Sequence, residues 1–205
     1  MERKKRLMAR THDKTPYADY YYHATFSSFR LEGLDVSEHE VWDALGRGRM
    51  KSMLRSRQAQ RMRNHAAILH HIETDLRDSL PLRTEGVVRW YTGISGGLST
   101  TGLDHAAEGR LADVVRRINS PQMRIRAALR EIAMTHSGLI AEPLVPAFNG
   151  ILARLLLRYH LGRCGLPAII FDPELDRKTR PLEELISRLV QLVDESLNAL
   201  LRCGK

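Results

Sequence analysis

Asn149 and Gly150, followed one helical turn later by Arg154, form the grouping in this chain best suited to chemistry. They sit within GLIAEPLVPAFNGILARLLLRYHLGRCGLP, residues 138–167. A helix ending at Gly138 and a proline-containing loop precede them, and a strongly apolar helix begins at Asn149-Gly150. The first backbone N–H groups of a helix have no intrahelical acceptor, and the helix dipole adds partial positive charge there. Such a start is an anion seat, and a guanidinium one turn further in supplies a full counter-charge for a phosphate. The structural alternative is that Asn149 only caps the helix and Arg154 only packs.

These residues need a scaffold, and the apolar spacing predicts one made of helices. Residues 1–22 form a basic, Tyr-rich arm with Tyr17, Tyr20, Tyr21 and Tyr22. It reads either as a loosely ordered arm whose tyrosines pack on the domain or as a partner-binding arm. Residues 23–34 read as a short helix stopped by Gly33. Ser37 and Glu40 stand in capping-box spacing at the start of a helix that turns Val41, Trp42 and Leu45 inward. From Gln58 to about Leu80, Met62, Ala66, Leu69, Ile72 and Leu76 share one helical face, and Pro81 ends that helix.

Residues 84–91 carry an apolar run, helical or extended. The following GISGGLSTTGLDH has Gly93, Gly96, Gly97 and Gly102, a density that predicts a loop or hairpin. Helices follow over 108–119 and from Ser120-Pro121 to about Ser137. Ile169, Ile170 and Phe171 are a short extended run. Arg180-Pro181 opens a last helix with Leu182, Leu185, Ile186, Leu189, Val193, Leu197 and Leu200 as one stripe, a core face first and a dimer face second.

The chain has 205 residues, enough for one globular domain without covalent staples. Its 32 Lys and Arg against 24 Asp and Glu give a formal charge of +8. That balance admits nucleic acid, a nucleotide or an acidic protein surface as partner, with Arg47, Arg49, Lys51, Arg55, Arg57, Arg61 and Arg63 as the densest basic group. It equally fits solvated helix faces. Cys164 and Cys203 match neither a zinc pattern nor a disulfide framework and read as reduced thiols of a cytoplasmic protein. No stretch is apolar enough to span a membrane, and MERKKRLMAR lacks the apolar core of a signal peptide.

Three stretches, taken in order, resemble the Fic family, enzymes that typically transfer AMP from ATP to a protein hydroxyl. The first is RIRAALREIAMTHSGLI running into EPLVPAFNGILARLL and on to LGRCGLPAII. It is similar to the family's helix, its HPFxDGNGRxxR loop and the helix ending at a Gly-x-Pro turn. The second is RNHAAILHHI at residues 63–72. The third is Ser28-Phe29-Arg30-Leu31-Glu32-Gly33, which is similar to the family's inhibitory pattern of Ser or Thr, three residues, Glu, then Gly or Asn.

The resemblance implies an all-α, Fic-like helical domain over residues 23–171, with residues 23–33 as an inhibitory helix, one short β-hairpin flap, and a C-terminal helix over 172–205. It implies ATP and Mg²⁺ as cofactors. Asn149, Gly150 and Arg154 become nucleotide-binding residues, and Ser28, Glu32 and Gly33 an inhibitory element whose Glu32 pairs with Arg154. Gly96, Gly97 and Leu98 fall on the flap that docks a protein target as an added strand.

The departures are chemical. Glu142 stands where the family has its catalytic histidine, before Pro143. Pro146 or Ala147 stands at the acidic, Mg²⁺-holding position, Ile151 replaces the first arginine, and Phe148 crowds the phosphate space. Glu142 serves as a base only if burial lifts its carboxyl by roughly two pH units. Otherwise it is a loop glutamate, solvated or paired with a nearby arginine. Each lost group is worth about a hundredfold or more in rate. The expectation is a domain impaired or inactive as an AMP transferase, with no metal ligand set. An altered nucleotidyl transfer, a non-catalytic nucleotide- or protein-binding module, and a nucleic-acid-associated protein stay open beside it.

Overall fold

The computed structural model describes residues 14–46, 57–96, 103–120, 124–176 and 181–203. Eight α-helices lie in these residues: α1 (Lys14–Leu31), α2 (Glu38–Ala44), α3 (Arg57–Arg77), α4 (Thr84–Ser95), α5 (His105–Asn119), α6 (Ile125–Ala141), α7 (Asn149–Arg163) and α8 (Leu182–Cys203). A 3₁₀ turn, Pro173–Asp176, lies between the last two. No strand occurs among the described residues, in keeping with the all-α expectation.

Helix α7 is the axis of the fold. Every residue from Ile151 to Leu161 is buried, so it has no polar face to show solvent. Helices α1, α3, α5 and α6 pack around it. Where it meets α3, a Cβ at Gly162 would lie 2.2 Å from Leu76 Cδ1, so a larger residue there would require the Leu76 side chain to shift. One core cluster joins α1 through α5 to α7 around Phe29, Met62, Leu69, Ile94, Leu111 and Ile151. A second joins α6, α7 and α8 through Ile132, Leu161, Ile169, Phe171 and Leu189.

Several boundaries differ from the sequence reading: α5 and α6 begin at His105 and Ile125 rather than at 108 and 121, and three others differ for a packing reason. Helix α1 begins at Lys14 rather than near residue 23. Its tyrosines are partly core residues: Tyr22 is buried and stacks on Trp42 at 4.1 Å between centroids. Helix α6 runs past Gly138 to Ala141, because Leu139 and Ile140 are buried in its last turn. A mid-helix glycine costs only about 1 kcal/mol, which that burial offsets. Helix α4 continues through Gly93 to Ser95 and stops at Gly96, whose φ of 67° is the left-handed stop that glycine favours. Gly93 is therefore helical, and its carbonyl accepts a 2.7 Å bond from Asn64 Nδ2. The Ser37–Glu40 capping box is present at α2. The Ile169–Phe171 run is neither helix nor strand, with Ile169 and Phe171 buried and Ile170 outward.

Candidate functional site

Helix α1 ends where α7 begins, and this crossing assembles the site. Gly33, at φ 79°, terminates α1, with Leu34 N–H donating to Phe29 O. Glu32 therefore sits just beyond the C-terminus of α1, a position that the helix dipole disfavours for a carboxylate. Its side chain crosses to the N-terminus of α7. There Oε2 accepts the backbone N–H of Ile151 at 3.1 Å and Arg154 Nη2 at 3.1 Å. A carboxylate at a helix start is stabilised by about 0.3–1 kcal/mol, approaching ~2 kcal/mol where partly buried. A Cβ at Gly150 would stand 2.5 Å from Glu32 Oε2 and 3.1 Å from Arg154 Nη1. Gly150 thus leaves the room in which the two charges meet.

Arg154 is 1% exposed and each of its nitrogens is engaged. Nε donates to Ser28 Oγ at 3.3 Å, and Nη2 donates to Ser28 O at 2.7 Å as well as to Glu32. Nη1 donates to Asp176 Oδ2. The other oxygen of Asp176 meets His136 Nε2 at 3.0 Å. Burial pushes the Asp176 carboxyl up, but His136 and the Arg154 guanidinium together bring it net below its ordinary value. It stays an anion in the fold.

Ser28, Glu32, Gly150 and Arg154 of the sequence-predicted set therefore converge, with Gly33 ending the helix that delivers Glu32. Asn149 stands at the same helix start but faces the other way. Its Oδ1 accepts Leu144 N–H at 2.9 Å and its Nδ2 donates to Leu139 O at 2.8 Å. Its side chain ties the preceding loop to α6 instead of offering atoms to a ligand. That loop turns Leu144 and Val145 into the core. Phe148, at φ 59°, takes a left-handed conformation costing a non-glycine residue about 1 kcal/mol, under the Arg61 guanidinium at 4.7 Å.

Glu142 belongs to a different contact. It ends α6, with its side chain 77% exposed, and pairs with Arg110 Nη1 at 3.6 Å. Arg110 also donates to Pro143 O. The burial that a glutamate base requires is absent. Gly96 caps α4 beside Arg61, whereas Gly97 and Leu98 lie outside the described residues. Of the basic group, Arg47, Arg49, Lys51 and Arg55 also lie outside them. Arg61 donates to Ser95 O and Arg63 to Gln60 Oε1.

Asp176 and His136 were not singled out as a pair by sequence reasoning. They lie 40 residues apart, Asp176 in a turn that carries no motif, and only the packing of the 3₁₀ turn against α6 joins them. No group of three or more His, Cys, Asp or Glu able to hold a metal occurs among the described residues. Pro146 and Ala147 carry no side-chain oxygen. Those two positions therefore supply Mg²⁺ with no side-chain ligand.

No family model matches the chain, and no curated protein sequence matches it. A Fic domain containing signaling protein from Bacteroides thetaiotaomicron superposes with a TM-score of 0.66 at 17% identity, over 98% of this chain and 95% of that one. The fold is Fic-like. At this identity the likeness concerns architecture, and in the Fic-like frame α7 is the helix that follows the EPLVPAF loop. No helix of the described residues is long and apolar enough to cross a membrane.

Proposed function

We propose that this chain is a Fic-like domain that keeps the family's anion cradle, closes it with its own Glu32, and transfers AMP very slowly or not at all. One observation carries the reading: Glu32 Oε2 occupies both the Ile151 N–H and Arg154, the two donors a nucleotide phosphate would use. With Arg154 engaged by Ser28, Glu32 and Asp176, no guanidinium donor face is left for a phosphate until a carboxylate leaves.

The chemical half of the reading rests on Glu142 and the loop. General base catalysis needs a group held near the attacking hydroxyl and tuned to the working pH. An exposed glutamate paired with Arg110 is neither enclosed nor desolvated. The cradle, when open, is suited to a di- or triphosphate group bound by backbone N–H and Arg154 without a protein-held metal. ATP is the ligand that the family resemblance suggests, and a protein surface remains the other partner class.

Intact-mass analysis tests the chemistry. After incubation with ATP and Mg²⁺, with and without candidate protein acceptors, the expected result is no AMP adduct on this protein or on the acceptors. Glu142→Ala is expected to change neither that outcome nor the stability by more than about 0.5 kcal/mol, as for exposed sites generally. Robust adduct formation abolished by Glu142→Ala would overturn the reading.

A further inference from the structure

Arg154 is held by two carboxylates, and only one of them comes from the α1 end. Resting on the closed-cradle reading above, we infer that Asp176 is a second latch on Arg154, so that removing Glu32 alone leaves the cradle partly shut.

The hold is built into the fold rather than offered by a loose side chain. Asp176 ends the 3₁₀ turn Pro173–Asp176, whose Leu175 is buried at 2% exposure in the α6–α8 cluster. The start of that turn is fixed by Asp172. Its Oδ1 accepts Glu174 N–H at 2.7 Å, and its Oδ2 accepts Arg188 Nη2 of α8. At the far end, one Asp176 oxygen meets Arg154 and the other meets His136. The carboxylate thus bridges two nitrogen bases, both buried. A chain of contacts runs from α8 through Asp172 and the 3₁₀ turn to the arginine of the cradle.

The physical consequence is electrostatic. In the intact protein one guanidinium serves two carboxylates. When Glu32 is removed, Arg154 still has Asp176 as a full counter-ion in a poorly solvated site. An incoming phosphate would meet the charge of Asp176 together with that of Arg154. When Asp176 is also made neutral, the guanidinium charge is uncompensated and the anion gains the whole attraction. The two latches lie on separate segments, at the end of α1 and before α8. A partner that moves either segment therefore biases the same arginine.

Thermal unfolding with inorganic pyrophosphate as probe tests this in four proteins: the unaltered chain, Glu32→Gly, Asp176→Asn, and the two changes together. The expected result is no pyrophosphate-dependent rise in Tm for the unaltered chain or for Asp176→Asn, and a small rise for Glu32→Gly. The double variant should bind about tenfold tighter than Glu32→Gly, within the usual range of coupling between groups that share one partner. A merely structural Asp176 would shift the baseline Tm without changing the pyrophosphate response. Equal responses in Glu32→Gly and the double variant overturn the second latch and leave the closed cradle standing. No response in any variant overturns both. If Asp176→Asn does not fold, Asp172→Asn, which frees the 3₁₀ turn from Arg188 without touching Arg154, should raise the response of Glu32→Gly by a smaller factor. An unchanged response there overturns the latch.

Discussion

Arg154→Ala is expected to unfold more easily than the unaltered protein, by about 3–5 kcal/mol in urea denaturation. Removing one member of a buried ion pair typically costs this much, because the partner charge stays behind without compensation. Here two carboxylates, Glu32 and Asp176, and the Ser28 backbone oxygen lose their donor together. The loss is a large fraction of the 5–15 kcal/mol that holds an ordinary domain folded. Adding Glu32→Gln and Asp176→Asn to Arg154→Ala should recover part of it by removing the stranded charges. Arg154→Lys should fall between, since an ammonium keeps the charge but cannot reach Ser28, Glu32 and Asp176 with one planar fork. A loss under about 1 kcal/mol for Arg154→Ala would mean that the cluster contributes little to folding.

Acid is expected to weaken this protein well above the carboxylate range. His65 is fully buried between Thr25, whose Oγ1 meets Nδ1 at 3.0 Å, and the edge-on ring of Phe29. Burial, with the nearby Arg154 charge, pushes it down from 6.5 to about 3. Burial alone pushes His160 down to about 4. In the unfolded chain both take up a proton near pH 6.5, whereas in the fold they stay neutral. Their contribution is therefore complete above pH 6.5 and is lost as pH falls toward about 4 for His160 and about 3 for His65.

Each histidine costs up to about 1.4 kcal/mol per pH unit over its window, so the pair removes roughly 4 kcal/mol between pH 7.5 and pH 5. Urea unfolding at pH 7.5 and pH 5 reads this directly. His65→Gln should roughly halve the difference. A stability that is flat between those two pH values would contradict it.

The Glu32–Arg154 contact, 122 residues apart, was legible through the resemblance to the Fic family, whose inhibitory glutamate pairs with an arginine of the motif. Glu32 precedes the glycine that must end its helix, and Arg154 sits one turn inside a helix start. The α2 capping box and the central apolar helix α7 were legible from local pattern, because there local chemistry and tertiary packing ask for the same thing.

What was hidden depends on packing alone. Nothing local places Asp176 beside Arg154 and His136, since a four-residue turn without a motif carries it there. The N-terminal extension of α1 over its tyrosines follows from the Trp42 and core contacts that those rings make, against a weak local helix preference. Asn149 was legible as a helix start. Its inward turn toward Leu144 and Leu139 depends on the loop being folded under with Leu144 and Val145 as its anchors.

The central claim is that an anion cradle at the start of α7 is intact and filled by Glu32. Calorimetric titration of ATP, with and without Mg²⁺, into the unaltered protein and into Glu32→Gly tests it most directly. No detectable heat of binding is expected for the unaltered protein, and measurable binding that does not require the metal for Glu32→Gly. Equal binding by both proteins, or none by either, would contradict it.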